Sequence, residues 1–287
     1  MFAAAPSGAA ASVMPGPDRA SVASWHSVWR SFDVDPLIAE AVVWPELERY
    51  GRLQDIAETA AVYGTYITTG GGPDYSIGPF QMKPSFVENL EEAWMRSGLA
   101  RRYNLFFDTA RTVTARRIRI SRMQKEEWQV IYVGVFLRLL YASYGSYNKK
   151  GEHTQEGLET LPLEDQVRLA ATAYNRGCVW AAPGYGDPDR LREHAREKHF
   201  HYALVPTRHT RRYCYATLAW KHFNKISPQR GGNPPHSQDY RHPRPQPRNG
   251  EMVSQAAPRQ ILRRHLRRDG PQKDYTATGA LMAGQGS

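Results

Sequence analysis

A mainly α-helical fold is predicted for this 287-residue chain by three observations. Apolar residues recur at helical spacing in several segments, helix start and stop signals bracket those segments, and strand-like alternation is scarce. Two stretches of different composition flank the helical part. They divide the chain into a flexible leader (1–24), a helical domain (25–227) and a tail (228–287).

The leader is rich in Ala, Ser, Pro and Gly and has no periodicity, so it is expected to be disordered. It lacks the basic start and continuous apolar run of an intact secretory signal. The folded part is expected to begin near Trp25. Asp35-Pro36 opens the first clear helix, with Asp as N-cap and Pro at the first helical position. Leu37, Ile38, Ala41, Val42 and Leu47 then fall at helical spacing. Pro45 is expected either to disturb this helix or to begin a second one, and either outcome leaves Glu46 near a helix end or kink. Residues 52–67 predict another helix, with Leu53, Ile56, Ala57, Ala60 and Tyr63 on one side, before Gly70-Gly71-Gly72-Pro73 breaks the chain. Residues 75–83 form a loop or short strand, and Pro84-Ser85 leads into a helix reaching about Leu99. An Arg-rich stretch, 108–124, precedes a helical apolar stretch from Val130 to Tyr144. Leu163 to Tyr174 is a clear helix with Val167, Leu169 and Ala170 inward and Gly177 as its left-handed stop. A final aromatic-rich helix is expected over 206–223.

The formal charge is +10 and the pI near 9.6, which favours polyanionic partners: nucleic acid, anionic lipid or acidic wall polymers. The tail holds ten Arg/Lys against four acids, so +6 of that charge lies outside the folded domain. Its eight prolines and seven glycines predict disorder, with a short basic helix over Arg259 to Arg268 as an option. No apolar run reaches the length of a spanning helix. The two cysteines, Cys178 and Cys214, are too few for a disulfide framework; one bridge and two separate thiols both remain open. Catalytic metal is not expected, because the ten histidines include no metal-spaced pair on one helix, and no cofactor-binding glycine loop or serine-nucleophile elbow occurs.

Glu46 is the residue with the most chemistry in its neighbourhood. Val42, Val43, Trp44 and Leu47 surround it in sequence, and apolar surroundings raise a carboxyl pKa toward the range of a general acid. Glu48 points elsewhere on a helix and is expected to pair with an Arg, while Glu40 and Glu58 read as surface residues. In Ser76-Ile77-Gly78-Pro79-Phe80-Gln81-Met82, Gly78 permits a tight backbone, Ser76 and Gln81 offer polar groups, and Phe80 and Met82 pack. In Ala173-Tyr174-Asn175-Arg176-Gly177, the tyrosine hydroxyl can bond an acid, and Asn175 can hold an amide or cap the helix end.

Taken in order, Trp44 to Tyr50, Ser76 to Met82 and Ala171 to Gly177 resemble the three signature segments of the lysozyme-like lytic transglycosylases. The resemblance spans roughly residues 35–225. It implies a lysozyme-like domain of the goose-type or transglycosylase kind, acting on peptidoglycan in the bacterial cell envelope. One glutamate, here Glu46, would serve as acid and then base, the substrate's N-acetyl group would stabilise the cation, and the C6 hydroxyl would attack to form a 1,6-anhydro sugar. Ser76, Gly78, Gln81, Met82, Tyr174 and Asn175 would bind substrate. Two departures stand out. Gly-Pro-Phe-Gln-Met replaces the family's Gly-Leu-Met-Gln, and Arg176 replaces a small residue.

Two other functional classes compete. A non-catalytic module could hold glycan on the same fold. Nucleic acid could be bound through the tail and the Arg-rich stretch 111–122, but no DNA-reading motif accompanies that charge, and an anionic wall polymer or lipid suits the tail better. The chain is expected to act as a monomer. Tyr66, Tyr75, Trp180 and Tyr185 are candidates for stacking on sugar faces.

Overall fold

The computed structural model describes residues 19–49, 65–71, 74–144, 157–176, 188–203 and 206–227. The leader up to 18, most of the predicted helix 52–67, Glu58, Gly177, Cys178, Trp180, Tyr185 and the tail 228–287 lie outside the described residues. Within the described residues the fold is mainly helical, as expected. Extended pairing there is confined to two isolated antiparallel bridges, Ile77 with Met82 and Phe200 with Tyr213. No described helix is long and apolar enough to cross a membrane.

The helices run in chain order as α1 (Arg19–Ser31), α2 (Pro36–Arg49), α3 (Pro84–Arg96), α4 (Leu99–Tyr103), α5 (Val113–Met123), α6 (Glu126–Ser143), α7 (Leu163–Arg176), α8 (Pro188–His194) and α9 (Tyr215–Ile226). Residues 65–69 are helical as well. Helix α6 is the central one. It is buried on every side from Trp128 through Leu137, as expected of a helix without a polar face. Helix α1 is tied to it by two indole N–H donors, Trp25 to Glu126 and Trp29 to the Val130 carbonyl, each at 3.0 Å. Helix α9 packs on both α2 and α7, and α2 lies against α1 and α7.

Several boundaries differ from expectation. Helix α1 starts at Arg19, ahead of Trp25, because the Trp25, Val28, Trp29 and Phe32 face carries it into the core. Pro45 neither ends nor restarts α2, which continues through it to Arg49. So near a helix end, the missing N–H costs a single backbone bond. The Asp35 cap is formed, its carboxylate accepting the Leu37 N–H at 2.8 Å. The final helix begins at Tyr215. The preceding residues 206–214 form a turn and the Phe200–Tyr213 bridge instead.

Glu40 is not a surface residue. It is buried between His26 at 2.7 Å and His222 at 3.0 Å, and the His222 ring stacks on Trp44 at 3.8 Å. Burial alone would raise the Glu40 pKa, but the hydrogen bonds and charges of His222 and His26 outweigh it and hold the carboxyl below its ordinary value. A depressed folded pKa gives stability that is present above the unfolded value, near 4.5, and is lost as pH falls below it. Replacing Glu40 with Ala is therefore expected to flatten the acid limb of a stability-versus-pH curve below about pH 4.5. Urea denaturation between pH 3 and 6 tests this, and an unchanged limb would refute it.

The Arg-rich stretch turns inward as much as outward. Arg119 is 1% exposed and pairs with the fully buried Glu91 at 2.7 Å. It also donates to the Tyr66 hydroxyl at 2.7 Å and to Glu88 at 3.2 Å. Arg111 bridges Glu88 and Glu92, and Arg122 approaches Glu91. A nucleic-acid role for 111–122 thus loses Arg111, Arg119 and Arg122 to acids of α3. Tyr66, a candidate for stacking on sugar, is buried in the same network, its hydroxyl donating to Glu88 at 2.6 Å.

Candidate active site

Glu46 lies on the last turn of α2, which is pressed between α7 and α9. Its side chain is 6% exposed, and its Oε2 is buried without a hydrogen-bond partner. Its Oε1 accepts a long bond, 3.5 Å, from the Asn175 amide at the end of α7. Burial pushes its pKa up to about 7, while the Arg49 charge and the Asn175 bond pull it down. Such a carboxyl is largely protonated just below neutrality and poorly solvated, the state required of a general acid.

Three tyrosines feel the Glu46 charge. Tyr174 and Tyr215 are pushed well above the ordinary phenol range by burial first and by Glu46 second, and Tyr202 also rises, chiefly through burial and its bond to Glu48. None of the three bonds the Glu46 carboxyl. The Tyr215 hydroxyl donates to the Val42 carbonyl at 2.9 Å, fixing α9 on α2. The Tyr202 hydroxyl donates to Glu48 at 2.9 Å, so among the described residues Glu48 pairs with a tyrosine where an arginine was expected. Tyr174 departs from the expectation that its hydroxyl would hold the acid: it donates to the Phe80 carbonyl at 2.7 Å.

That bond joins two of the sequence segments. Phe80 is fixed three ways: its carbonyl by Tyr174, its N–H by the Gln129 side chain at 2.8 Å, and its ring edge-on to Trp25 at 5.2 Å. The amide of Gln129, on α6, also donates to the carbonyls of Ile77 and Met123. Gln129 is thus the organising residue of the 76–82 turn, and nothing in its local sequence marks it. Gly78 is needed for this packing. Its φ is +72°, and a Cβ there would overlap the Gln129 amide, so its backbone lies against Gln129 and not toward an open cleft. Gln81 likewise has positive φ, +53°, and donates to the Gly78 carbonyl at 2.9 Å, serving its own turn. Met82 is buried and closes the bridge to Ile77, and Ser76 is half-buried just before it. Of the sequence candidates, Asn175 directly meets Glu46, Tyr174 lies beside it, and Gly78, Gln81 and Met82 build the turn that Tyr174 grips.

Gly78→Ala is expected to lose about 2 kcal/mol of stability or more, from left-handed strain plus displacement of Gln129. Urea denaturation measures it, and a loss under about 0.5 kcal/mol would show that the turn adapts.

His199 also belongs to the site, and no motif in the sequence marks it. Its Nε2 makes a close hydrogen bond with the Asn175 side-chain oxygen. Arg176 and His194 both pair with Glu197 beside it. Cys214 is a free thiol that donates to the Ala195 carbonyl at 3.0 Å. No family model, curated protein or solved structure matches the chain.

Proposed function

We propose that the chain is a lysozyme-like lytic transglycosylase or muramidase. It would cleave the β-1,4 bond between N-acetylmuramic acid and N-acetylglucosamine in bacterial peptidoglycan. The observation that carries this reading is the Glu46 carboxyl, buried, with Oε2 unpartnered and its pKa raised to about 7. A proton held at that value can be delivered to a glycosidic oxygen and taken back at neutral pH. Other acids among the described residues are engaged elsewhere, which favours one glutamate acting twice. Glu48 accepts from Tyr202, Glu40 lies between two histidines, Asp74 accepts from Ser85, and Glu197 pairs with Arg176 and His194. A single-acid scheme forms 1,6-anhydro ends, with the substrate's own C6 hydroxyl in place of water. No metal or cofactor enters this scheme, and the site of action would be the cell envelope.

Incubation with purified sacculi tests the proposal. Soluble muropeptides one water lighter than hydrolysis products support transglycosylation, and products of full hydrolytic mass support the muramidase variant. Intact sacculi with the unaltered chain, alongside retained glycan binding, would replace the enzyme with a binding module.

A further inference from the structure

We propose that His199 is a positioning residue for the Glu46 carboxyl, acting through Asn175, and that this relay leaves Oε2 as the oxygen that carries the acid proton. The inference rests on the general-acid reading of Glu46 and adds a residue to it.

Asn175 stands between the two groups. Its Oδ1 accepts from His199 Nε2 at close range, and its Nδ2 faces Glu46 Oε1 at 3.5 Å. The second bond is too long to hold an amide by itself. If the amide were flipped, Oδ1 would face the lone pairs of the ionised carboxylate and oppose its ionisation. The His199 donor therefore decides which end of Asn175 meets the acid. The bridge between Phe200 and Tyr213, one residue beyond His199, anchors the backbone next to the imidazole.

The ring's protonation follows from its contacts. Nε2 must carry hydrogen to donate, and Nδ1 is buried without a partner. A buried Nδ1–H would be an orphaned donor, so the neutral Nε2–H form fits the site. Burial, with Arg176, His194 and Arg212 facing the ring, holds His199 below the ordinary imidazole range. Glu197 pairs with Arg176 and His194, and Arg49 faces Glu46 from its own helix. With Oε1 committed as an acceptor, the proton resides on Oε2. That is the oxygen free to give it to a leaving group and recover it.

The test follows the Glu46 carboxyl directly, by ¹³C NMR titration of the full chain, so it does not depend on turnover. Asn175→Ala removes the donor to Oε1 and is expected to raise the midpoint by roughly half a pH unit. His199→Ala and His199→Phe should each give a similar rise, and combining either with Asn175→Ala should add nothing. His199→Gln keeps an N–H donor but carries no charge, and it should restore the original midpoint. An unchanged midpoint in both His199→Ala and His199→Phe overturns the relay, as do additive shifts. A His199→Gln titration matching that of His199→Ala also overturns it, since the effect would then be one of ring charge. If the midpoints behave as expected while sacculi stay intact, the relay holds and the enzyme reading fails.

Discussion

Glu46→Gln is expected to abolish cleavage of sacculi and, above neutral pH, to make the protein more stable. A group that only donates and accepts a proton contributes about 10²- to 10⁴-fold to rate, and an amide can do neither at neutral pH. The stability effect has the opposite sign from that of most substitutions at buried residues. The folded state holds Glu46 at about 7 against an ordinary value of 4.5, so it binds the proton more tightly than the unfolded chain. Stability therefore rises as pH falls from about 7 toward 4.5 and is flat below. Above about pH 7 the buried charge costs roughly 3 kcal/mol, the shift times about 1.4 kcal/mol per unit. Gln carries no charge, so that cost vanishes. Denaturation at pH 8 should show the variant more stable, and the difference should shrink to near zero at pH 4. In the unaltered chain, kcat/KM should fall about tenfold per unit above pH 7, following loss of the protonated acid. Equal stability of the two proteins at pH 8 would mean that the carboxyl is hydrated, and the acid role would fall with it.

How much of this could be read from the sequence depended on whether the signal was local. The Asp35 cap, the α7 helix and the apolar α6 were legible because periodicity and capping are settled within a few residues. The tight backbone at Gly78 was legible for the same reason. Burial of polar groups was not legible, because it depends on partners supplied from elsewhere. Glu40 reads as an exposed helix residue until His222 arrives from α9, 182 positions on, and His26 from α1. Tyr174 offered its hydroxyl to an acid on paper, but the nearer acceptor was a carbonyl of the turn it grips. Gln129 and His199 had no pattern to announce them. Each matters through a backbone or side-chain group that only the packed fold brings within bonding distance.

Arg119→Leu is expected to cost about 3–5 kcal/mol, the largest loss of stability among these variants. The guanidinium lies inside a core layer formed by α3, α5 and α6, where Glu91 has no exposure at all. Burial alone would lower the Arg119 pKa, yet Glu91 and Tyr66 raise it, so the cation is fully held. Removing it leaves Glu91 with the Tyr132 hydroxyl at 2.6 Å and Arg122 at 3.5 Å, too little to stabilise a buried carboxylate. Glu88 and Tyr66 lose their shared donor at the same time. A buried pair of this kind is a weak source of net stability, because desolvation offsets much of the attraction. One Arg119 nitrogen, Nη2, is buried without a partner, so part of its desolvation is never recovered. The double variant Glu91→Leu with Arg119→Leu should accordingly regain most of the loss. Urea denaturation of the single and double variants gives the coupling directly, and a loss under about 1 kcal/mol for Arg119→Leu would show water reaching the network. The chemistry should respond differently. Helix α5 meets the support of the 76–82 turn through the Met123 carbonyl that Gln129 engages. Where Arg119→Leu remains folded, it should cleave sacculi at a rate close to that of the unaltered chain, in contrast to Glu46→Gln.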